Sequence, residues 1–112
     1  MINGAHIVFQ SKNVEADRAF FKDILGLNHV DVGNGRLIFR LPDSDLGLHD
    51  SEKNDVHELY LMCDDLGAEI ARLTAAGIAC EPPNDQGWGI VTRLRLPRGG
   101  SLALYQPRHA RP

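Results

Sequence analysis

Hydrophobic and polar residues follow the same order twice along the chain. An alternating segment opens each copy, HIVFQ at 6–10 and ELYLM at 58–62. At an offset of 52 positions, Asn13 aligns with Asp65, and each precedes an apolar pattern of helical spacing. A duplicated unit implies two halves related by a pseudo-twofold axis. Paired positions are then expected to face each other across a shared cleft.

Strand alternation and helical spacing of the apolar residues predict the same succession of elements in each half: a strand, a helix and three further strands. In the first half, the helix follows Asn13 and ends at Gly26, and the strands lie at 6–10, about 28–32, 36–41 and 46–49. In the second half, the helix follows Asp64 or Asp65 and ends at Gly77, and the strands lie at 57–63, about 78–81, 88–96 and 101–106.

The predicted fold class is α+β, with two βαβββ modules in tandem that form a curved mixed-sheet cleft. We expect one domain over 1–112, with the modules at about 4–50 and about 56–107. The segment EPPNDQ is predicted as a loop, because two prolines do not fit a central strand. The last residues, 107–112, are predicted as a frayed tail.

Charge and composition narrow the class of partner. The net charge is −3 and no run of Lys or Arg is present, which argues against a nucleic-acid-binding surface. No apolar stretch approaches 20 residues, and the N-terminus lacks the pattern of a signal peptide. Cys63 and Cys80 are far apart and are expected to be reduced thiols. The sequence therefore predicts a cytoplasmic protein that binds neither nucleic acid nor a membrane.

One face of the predicted sheet collects the polar side chains, because the helices cover the other face. By alternation this polar face carries His6, Gln10, Arg40, His49, Glu58, Tyr60, Arg93, Arg95 and Tyr105. If the sheet curls, these residues line a binding cleft. If the sheet is flat, they are a solvated face of the kind that antiparallel sheets tolerate. The duplication favours the cleft, since it supplies a second half to close it.

Four stretches carry a resemblance to a known family: AHIVFQSKNVEADRAFFKDILGL, DDLGAEIARLTAAGI, PPNDQGWG and LPRGGSLALYQP. With these segments the chain resembles the vicinal oxygen chelate superfamily over residues 4–107. This superfamily includes glyoxalase I, extradiol dioxygenases, fosfomycin-resistance thioltransferases and bleomycin-resistance proteins. The resemblance implies a glyoxalase-like fold but leaves the reaction open, because the superfamily carries unrelated chemistries on one scaffold.

Enzymes of this superfamily hold a divalent metal with side chains from the first and last strands of each module. The resemblance places His6, Glu58, Gly47 and Ala103 at those positions, and the last two cannot bind metal through a side chain. His49 lies two residues beyond Gly47 and would complete a set of two histidines and one carboxylate for Fe, Mn, Ni or Zn. However, two residues along a strand displace His49 by roughly 6–7 Å. The cofactor is therefore either absent or a metal held by His6, Glu58 and His49.

The cleft also has residues suited to binding without a metal. Trp88 lies between glycines and offers an aromatic plate for stacking on a ligand. Arg40, Arg93 and Arg95 share the polar face, and together they would favour a carboxylate or phosphate ligand. If they do not converge, they are rim charges paired with nearby acids. The remaining predicted ligand-binding residues are Tyr60 and Tyr105.

Two functions stay open. The first is a small-molecule binding protein of the glyoxalase/bleomycin-resistance type with a degenerate or absent metal site, acting by ligand sequestration. The second is a divalent-metal-dependent lyase, isomerase or dioxygenase acting on a small oxygenated substrate, with His6 and Glu58 as catalytic residues. In either case we expect a homodimer, from the resemblance and from the small core that one chain can bury.

Overall fold

A computed structural model describes residues 6–48 and 50–112, which contain two helices and six strands. The first half has α1 (Val14–Ala19), which continues as a π-helical turn (Phe20–Ile24), then β1 (His29–Asp31) and β2 (Leu37–Phe39). The second half has β3 (Tyr60–Met62), α2 (Leu66–Ala75), β4 (Asn84–Asp85), β5 (Gly89–Arg95) and β6 (Ser101–Pro107). No helix among the described residues is long and apolar enough to cross a lipid bilayer.

The strands form two sheets. β1 and β2 make a two-stranded antiparallel sheet, and the other four strands are ordered β3-β6-β5-β4. β3 runs parallel to β6, whereas β5 is antiparallel to both β4 and β6, so this sheet is mixed. The pairing of β5 with β6 is the longest, from Gly89 opposite Pro107 to Arg95 opposite Ser101. The α+β class with a mixed sheet is confirmed.

Side chains predicted as caps begin both helices. The Asn13 side chain accepts a hydrogen bond from the Ala16 amide at 3.1 Å, and Asp65 accepts one from the Ala68 amide at 3.1 Å. The α2 helix is fixed to the sheet as well, because the Leu66 amide donates to the Gln106 side chain at 3.0 Å. Each helix is thus held at its start by a polar contact that the sequence specifies.

The core lies almost entirely in the second half. The buried apolar side chains are Phe20, Leu66, Leu73, Leu94, Leu96, Leu102, Ala103 and Leu104, so the first half contributes one. The large apolar side chains left exposed are concentrated before residue 57: Ile7, Val8, Val14, Val30, Val32, Ile38, Leu46, Leu48 and Val56. The first half therefore contributes little to the buried core and leaves many large apolar side chains exposed in a single chain.

Two predicted strands of the first half do not form. Residues 6–10 and 46–48 have no strand structure, and residue 49 lies outside the described residues. Alternation marks which side chains could share a face, but a strand also needs a neighbouring strand to receive its backbone hydrogen bonds. Val8 is 73% exposed and Leu48 is 87% exposed, whereas Phe9 packs against the core without strand pairing.

The second half differs from its prediction in two smaller ways. The strand expected at 78–81 is reduced to an isolated bridge between Cys80 and Leu94. The segment EPPNDQ, predicted as a loop, contains the two residues of β4 after its prolines. β4 is the edge of the sheet, where missing amide donors cost little.

The core assignment predicts a large loss of stability on substitution of Leu73→Ala. Leu73 is 1% exposed, and truncation of such a side chain costs about 2–5 kcal/mol of unfolding free energy. Thr74→Ala is the matched control, because Thr74 is the adjacent exposed residue of α2 and should change stability by no more than about 0.5 kcal/mol. Urea unfolding followed by circular dichroism measures both, and equal losses would contradict the placement of α2.

Candidate functional site

Three aromatic side chains meet on the sheet face opposite α2. The ring centroids of Trp88 and Tyr105 are 5.2 Å apart, those of Tyr60 and Tyr105 are 5.8 Å apart, and those of Tyr60 and Trp88 are 6.1 Å apart. All three pairs are edge-to-face, a favourable arrangement of aromatic quadrupoles. We call Tyr60, Trp88 and Tyr105 the aromatic cluster. It unites the three aromatic residues that the sequence proposed for ligand binding.

Strand register explains why these rings meet. Tyr60 on β3 lies opposite Ala103 on β6, two residues before Tyr105, so both tyrosines project from the same face. Leu102 and Leu104 alternate with them and enter the core under α2. The same strand therefore builds the core with one set of side chains and the aromatic cluster with the other.

Gly89 makes room for the Tyr105 ring. A Cβ atom on Gly89 would lie 2.8 Å from Cδ2 of Tyr105 and 2.9 Å from the Gln106 carbonyl oxygen, which is too close for a real contact. The ring thus crosses β5 at the one position without a side chain. In the sequence, Gly87 and Gly89 suggested that the Trp88 indole has room to move. In the structure, Gly89 instead leaves space for the Tyr105 ring.

The C-terminal residues are held against the aromatic cluster. The Arg108 amide donates to the Trp88 carbonyl oxygen at 2.9 Å, and its guanidinium lies 2.6 Å from the Asp85 carboxylate. Farther on, Arg111 pairs with Asp45 through contacts of 2.9 and 3.2 Å. The prediction of a frayed tail is therefore wrong. These ion pairs join residues distant in sequence, so charge patterning along the chain gave no sign of them.

His109 extends the cluster with a polar contact. Its Nε2 atom lies 3.1 Å from the Tyr105 hydroxyl, and the two ring centroids are 6.0 Å apart. Burial, together with the nearby Asp45 carboxylate, raises the pKa of Tyr105. The phenol therefore stays protonated at neutral pH, as a hydrogen-bonding group rather than a base. Sequence reasoning did not include His109 in the site, since it lies outside both repeated modules.

A cavity of about 380 Å³ lies beside the aromatic cluster. Its lining includes Met62, Cys63, Asp64, Gln106, His109 and Arg111. β3 and β6 are parallel, so their carboxyl ends meet at this edge of the sheet. Burial and then the neighbouring Glu69, Asp64 and Asp65 carboxylates raise the pKa of Cys63 to about 11. Cys63 is therefore a neutral thiol at pH 7, not a nucleophile.

The three predicted arginines are distributed over both sheets. Arg93 is half-buried on the cluster face of β5, and its guanidinium donates to the Ser101 hydroxyl at 3.4 Å. Arg95 lies two residues farther along the same face and is exposed. Arg40 is exposed at the end of β2, in the other sheet. Among the described residues, no carboxylate forms an ion pair with any of the three.

Within the described part of the chain, the residues at the metal positions of the resemblance do not form a group of three metal ligands. His6 and Glu58 are both exposed, and no ion pair joins them within residues 6–48 and 50–112. Ala103 is 2% exposed and offers only a methyl group. The described ranges contain no group of three His, Cys, Asp or Glu side chains that could hold a metal ion. His49 lies outside them, so its part in a set with His6 and Glu58 stays a prediction.

Comparisons with known proteins rest on structure alone. No protein-family model matches the chain, and no curated protein matches it. The chain is similar to TnmS3, an antibiotic binding protein from Streptomyces sp. CB03234, with a TM-score of 0.67 and 24% identity over 96% of this chain and 98% of that one.

Two further solved structures are similar over most of their length. A glyoxylase/bleomycin resistance protein/dioxygenase domain from Frankia sp. EAN1pec has a TM-score of 0.66 and 16% identity, over 99% of this chain and 96% of that one. Lactoylglutathione lyase from Agrobacterium tumefaciens has a TM-score of 0.61 and 18% identity, over 86% and 87%. The chain therefore has the fold of the vicinal oxygen chelate superfamily, as its sequence resemblance predicted.

Proposed function

We propose that the chain is a small-molecule binding protein of the glyoxalase/bleomycin-resistance type that sequesters its ligand against the aromatic cluster. The observation that carries this proposal is the meeting of Tyr60, Trp88 and Tyr105 on one sheet face. The cavity of about 380 Å³ adjoins this cluster through Met62, which lies opposite Tyr105, and through His109, which contacts the Tyr105 hydroxyl. Trp88 is 41% exposed, so part of the indole is available for a ligand. Aromatic side chains displayed in this way bind flat, apolar molecules by stacking. The similarity of fold to an antibiotic binding protein supports the same class of ligand.

The charges near the cluster favour a ligand with an acidic group. Arg93 is half-buried on the cluster face and has no ion-pair partner among the described residues. An unpaired guanidinium in that position is suited to a carboxylate or phosphate, which it can bind through two hydrogen bonds. Arg95 adds a second positive charge on the same strand. We therefore propose a planar ligand that carries an anionic group.

We also propose that the chain acts as a cytoplasmic homodimer. The first half exposes apolar side chains such as Val8, Leu46 and Leu48, at 73%, 90% and 87%. Large apolar side chains that are this exposed favour an association surface. A second copy is the proposed occupant, because the second half of the chain is well packed whereas the first half leaves most of the exposed large apolar side chains. The same contact would give residues 6–10 and 46–48 a neighbouring strand.

The alternative function, a metal-dependent lyase, isomerase or dioxygenase, requires His6, Glu58 and His49 to converge. Arg93, Arg95 and the aromatic cluster would have no role in holding a metal. Gly47 and Ala103, at two of the metal positions of the resemblance, have no side chain that can bind one. We place this function second, and metal binding distinguishes it from sequestration.

Disturbing the aromatic cluster should weaken ligand binding. Gly89→Ala forces the Tyr105 ring away, and the loss of one aromatic contact of about 0.5–1.5 kcal/mol corresponds to about 2- to 12-fold weaker binding. Anthraquinone-2-carboxylate is a suitable probe, since Trp88 is the only tryptophan and its quenching reports occupancy. Gly67→Ala is the control, because a Cβ there is 3.5 Å from its nearest contact. Unchanged affinity in Gly89→Ala would contradict the proposed site.

The anionic part of the ligand is tested with Arg93→Gln. Loss of a charged hydrogen bond is expected to weaken binding of anthraquinone-2-carboxylate by about tenfold or more. Binding of the neutral anthraquinone-2-carboxamide should be unchanged by the substitution. Arg18→Gln serves as a control, because Arg18 is paired with Glu15 on α1. If Arg93→Gln weakens both probes equally, the arginine supports the fold rather than the ligand's charge.

Metal content separates the two functions. After incubation with iron(II), manganese, nickel and zinc and extensive dialysis, we expect elemental mass spectrometry to find far less than one metal per chain. Near one metal per chain, lost in both His6→Ala and Glu58→Ala, would contradict sequestration without metal and favour the enzyme.

The dimer is tested by light scattering on a sizing column. We expect twice the mass of one 12.4 kDa chain, and a shift to one chain when Leu46→Glu and Leu48→Glu are combined, because charges are not tolerated in an apolar contact. Thr74→Glu adds a charge to exposed α2 and should leave the dimer intact. A native chain that elutes as a monomer would contradict the proposed assembly.

A further inference from the structure

A second cavity, of about 450 Å³, lies between the start of α1 and the turn that joins β5 to β6. Its lining includes Phe9, Ser11, Lys12, Asp17, Arg98 and Gly100. None of the residues lining it also lines the cavity beside the aromatic cluster. Its volume lies within the range of about 300–1,000 Å³ common for small-molecule sites. The cavity is therefore a separate place at which a small molecule could bind.

A buried carboxylate in the wall of this cavity lacks part of its hydrogen bonding. Asp17 is 7% exposed, and its Oδ2 atom accepts a hydrogen bond from the Ser11 hydroxyl at 2.5 Å. Its Oδ1 atom is buried and has no hydrogen-bond partner among the described residues. A buried acceptor left without a donor is costly, and more so when it is charged. Asp17 thus places in the cavity wall a carboxylate whose hydrogen bonding is incomplete.

The neighbouring side chains do not supply the missing donor. The Ser11 hydroxyl proton is already given to Asp17, and the Ser11 oxygen accepts from the Asn13 amide at 3.1 Å. The Asn13 side-chain oxygen is an acceptor used to cap α1. These contacts hold Asp17 in place while leaving Oδ1 without a partner. The group best suited to that position is a positively charged N–H donor.

Two positive charges on the rim disfavour a ligand that is only a cation. Lys12 and Arg98 line the same cavity and are exposed. In the described ranges, neither has an ion-pair partner or a side-chain hydrogen bond. A ligand with only a positive charge would be repelled by both side chains, whereas one that also carries a carboxylate would be attracted.

We propose that this cavity binds a free amino acid, whose ammonium group donates to the Asp17 carboxylate and whose own carboxylate contacts Lys12 and Arg98. The charges of such a zwitterion match the three unpaired charges of the cavity. Phe9 supplies the apolar part of the wall, which favours an aliphatic side chain. The site is independent of the aromatic cluster, so the chain has one surface for planar ligands and another for amino acids.

Titration of the ¹⁵N-labelled full chain with L-leucine tests the proposal by NMR. We expect saturable shifts of the amide signals of Ser11, Asn13, Gly99 and Gly100. N-acetyl-L-leucine lacks the ammonium charge and L-leucinamide lacks the carboxylate, so each should bind at least about tenfold more weakly. Absence of saturable shifts with L-leucine, or an affinity for either analogue equal to that for L-leucine, would overturn the proposal.

Substitutions assign the binding to the named residues. Asp17→Asn and Arg98→Gln should each weaken L-leucine binding by about tenfold or more. Glu15→Gln is the control, because its carboxylate is exposed on the same helix and pairs with Arg18. Arg98 is exposed in a turn, so Arg98→Gln remains informative if Asp17→Asn fails to fold. Unchanged affinity in Arg98→Gln, or a loss as large in Glu15→Gln, would contradict the proposed site.

Discussion

The pairing of β5 with β6 is the interaction on which the rest of the structure depends. Seven residue pairs, from Gly89–Pro107 to Arg95–Ser101, hold the two strands in one register. That register directs Leu94, Leu102 and Leu104 toward α2, where they form the core. It also directs Tyr105 to the opposite face, where it meets Tyr60 and Trp88. A shift of one residue would exchange the two faces, so the register specifies both the core and the aromatic cluster.

The two halves of the chain share a sequence pattern but differ in how they are packed. The second half encloses its leucines between α2 and a four-stranded sheet, whereas the first half has a two-stranded sheet and one fully buried apolar residue, Phe20. A two-stranded sheet is marginal by itself in water. Association with a second copy would supply the missing partner strand and would cover the exposed apolar side chains. The asymmetry thus connects the weak core of the first half to the proposed dimer.

The sequence predicted those features that local chemistry specifies. Asn13 and Asp65 cap the helices as expected, and period-two alternation located β5 and β6 to within a residue or two. The same alternation placed Tyr60 and Tyr105 on one face. In the structure Tyr60 lies opposite Ala103, two residues before Tyr105, so the two side chains do share a face. Alternation also predicted strands at 6–10 and 46–49, but residues 6–10 and 46–48 do not form strands. A strand depends on a neighbouring strand that the segment itself does not encode. The ion pairs of Arg108 and Arg111 also join distant residues, with Asp85 and Asp45 respectively. The unsatisfied Asp17 carboxylate depends on the folded surroundings of α1.

The aromatic cluster is the proposed ligand surface of the chain. Because the chain has a single tryptophan, the indole N–H signal of Trp88 in the ¹H–¹⁵N NMR spectrum reports on that surface alone. During titration with a planar anionic ligand, we predict that this signal shifts to saturation together with the amide of Tyr105. If the ligand binds while the Trp88 indole and the Tyr105 amide remain unchanged, the ligand surface lies elsewhere and the central claim is wrong.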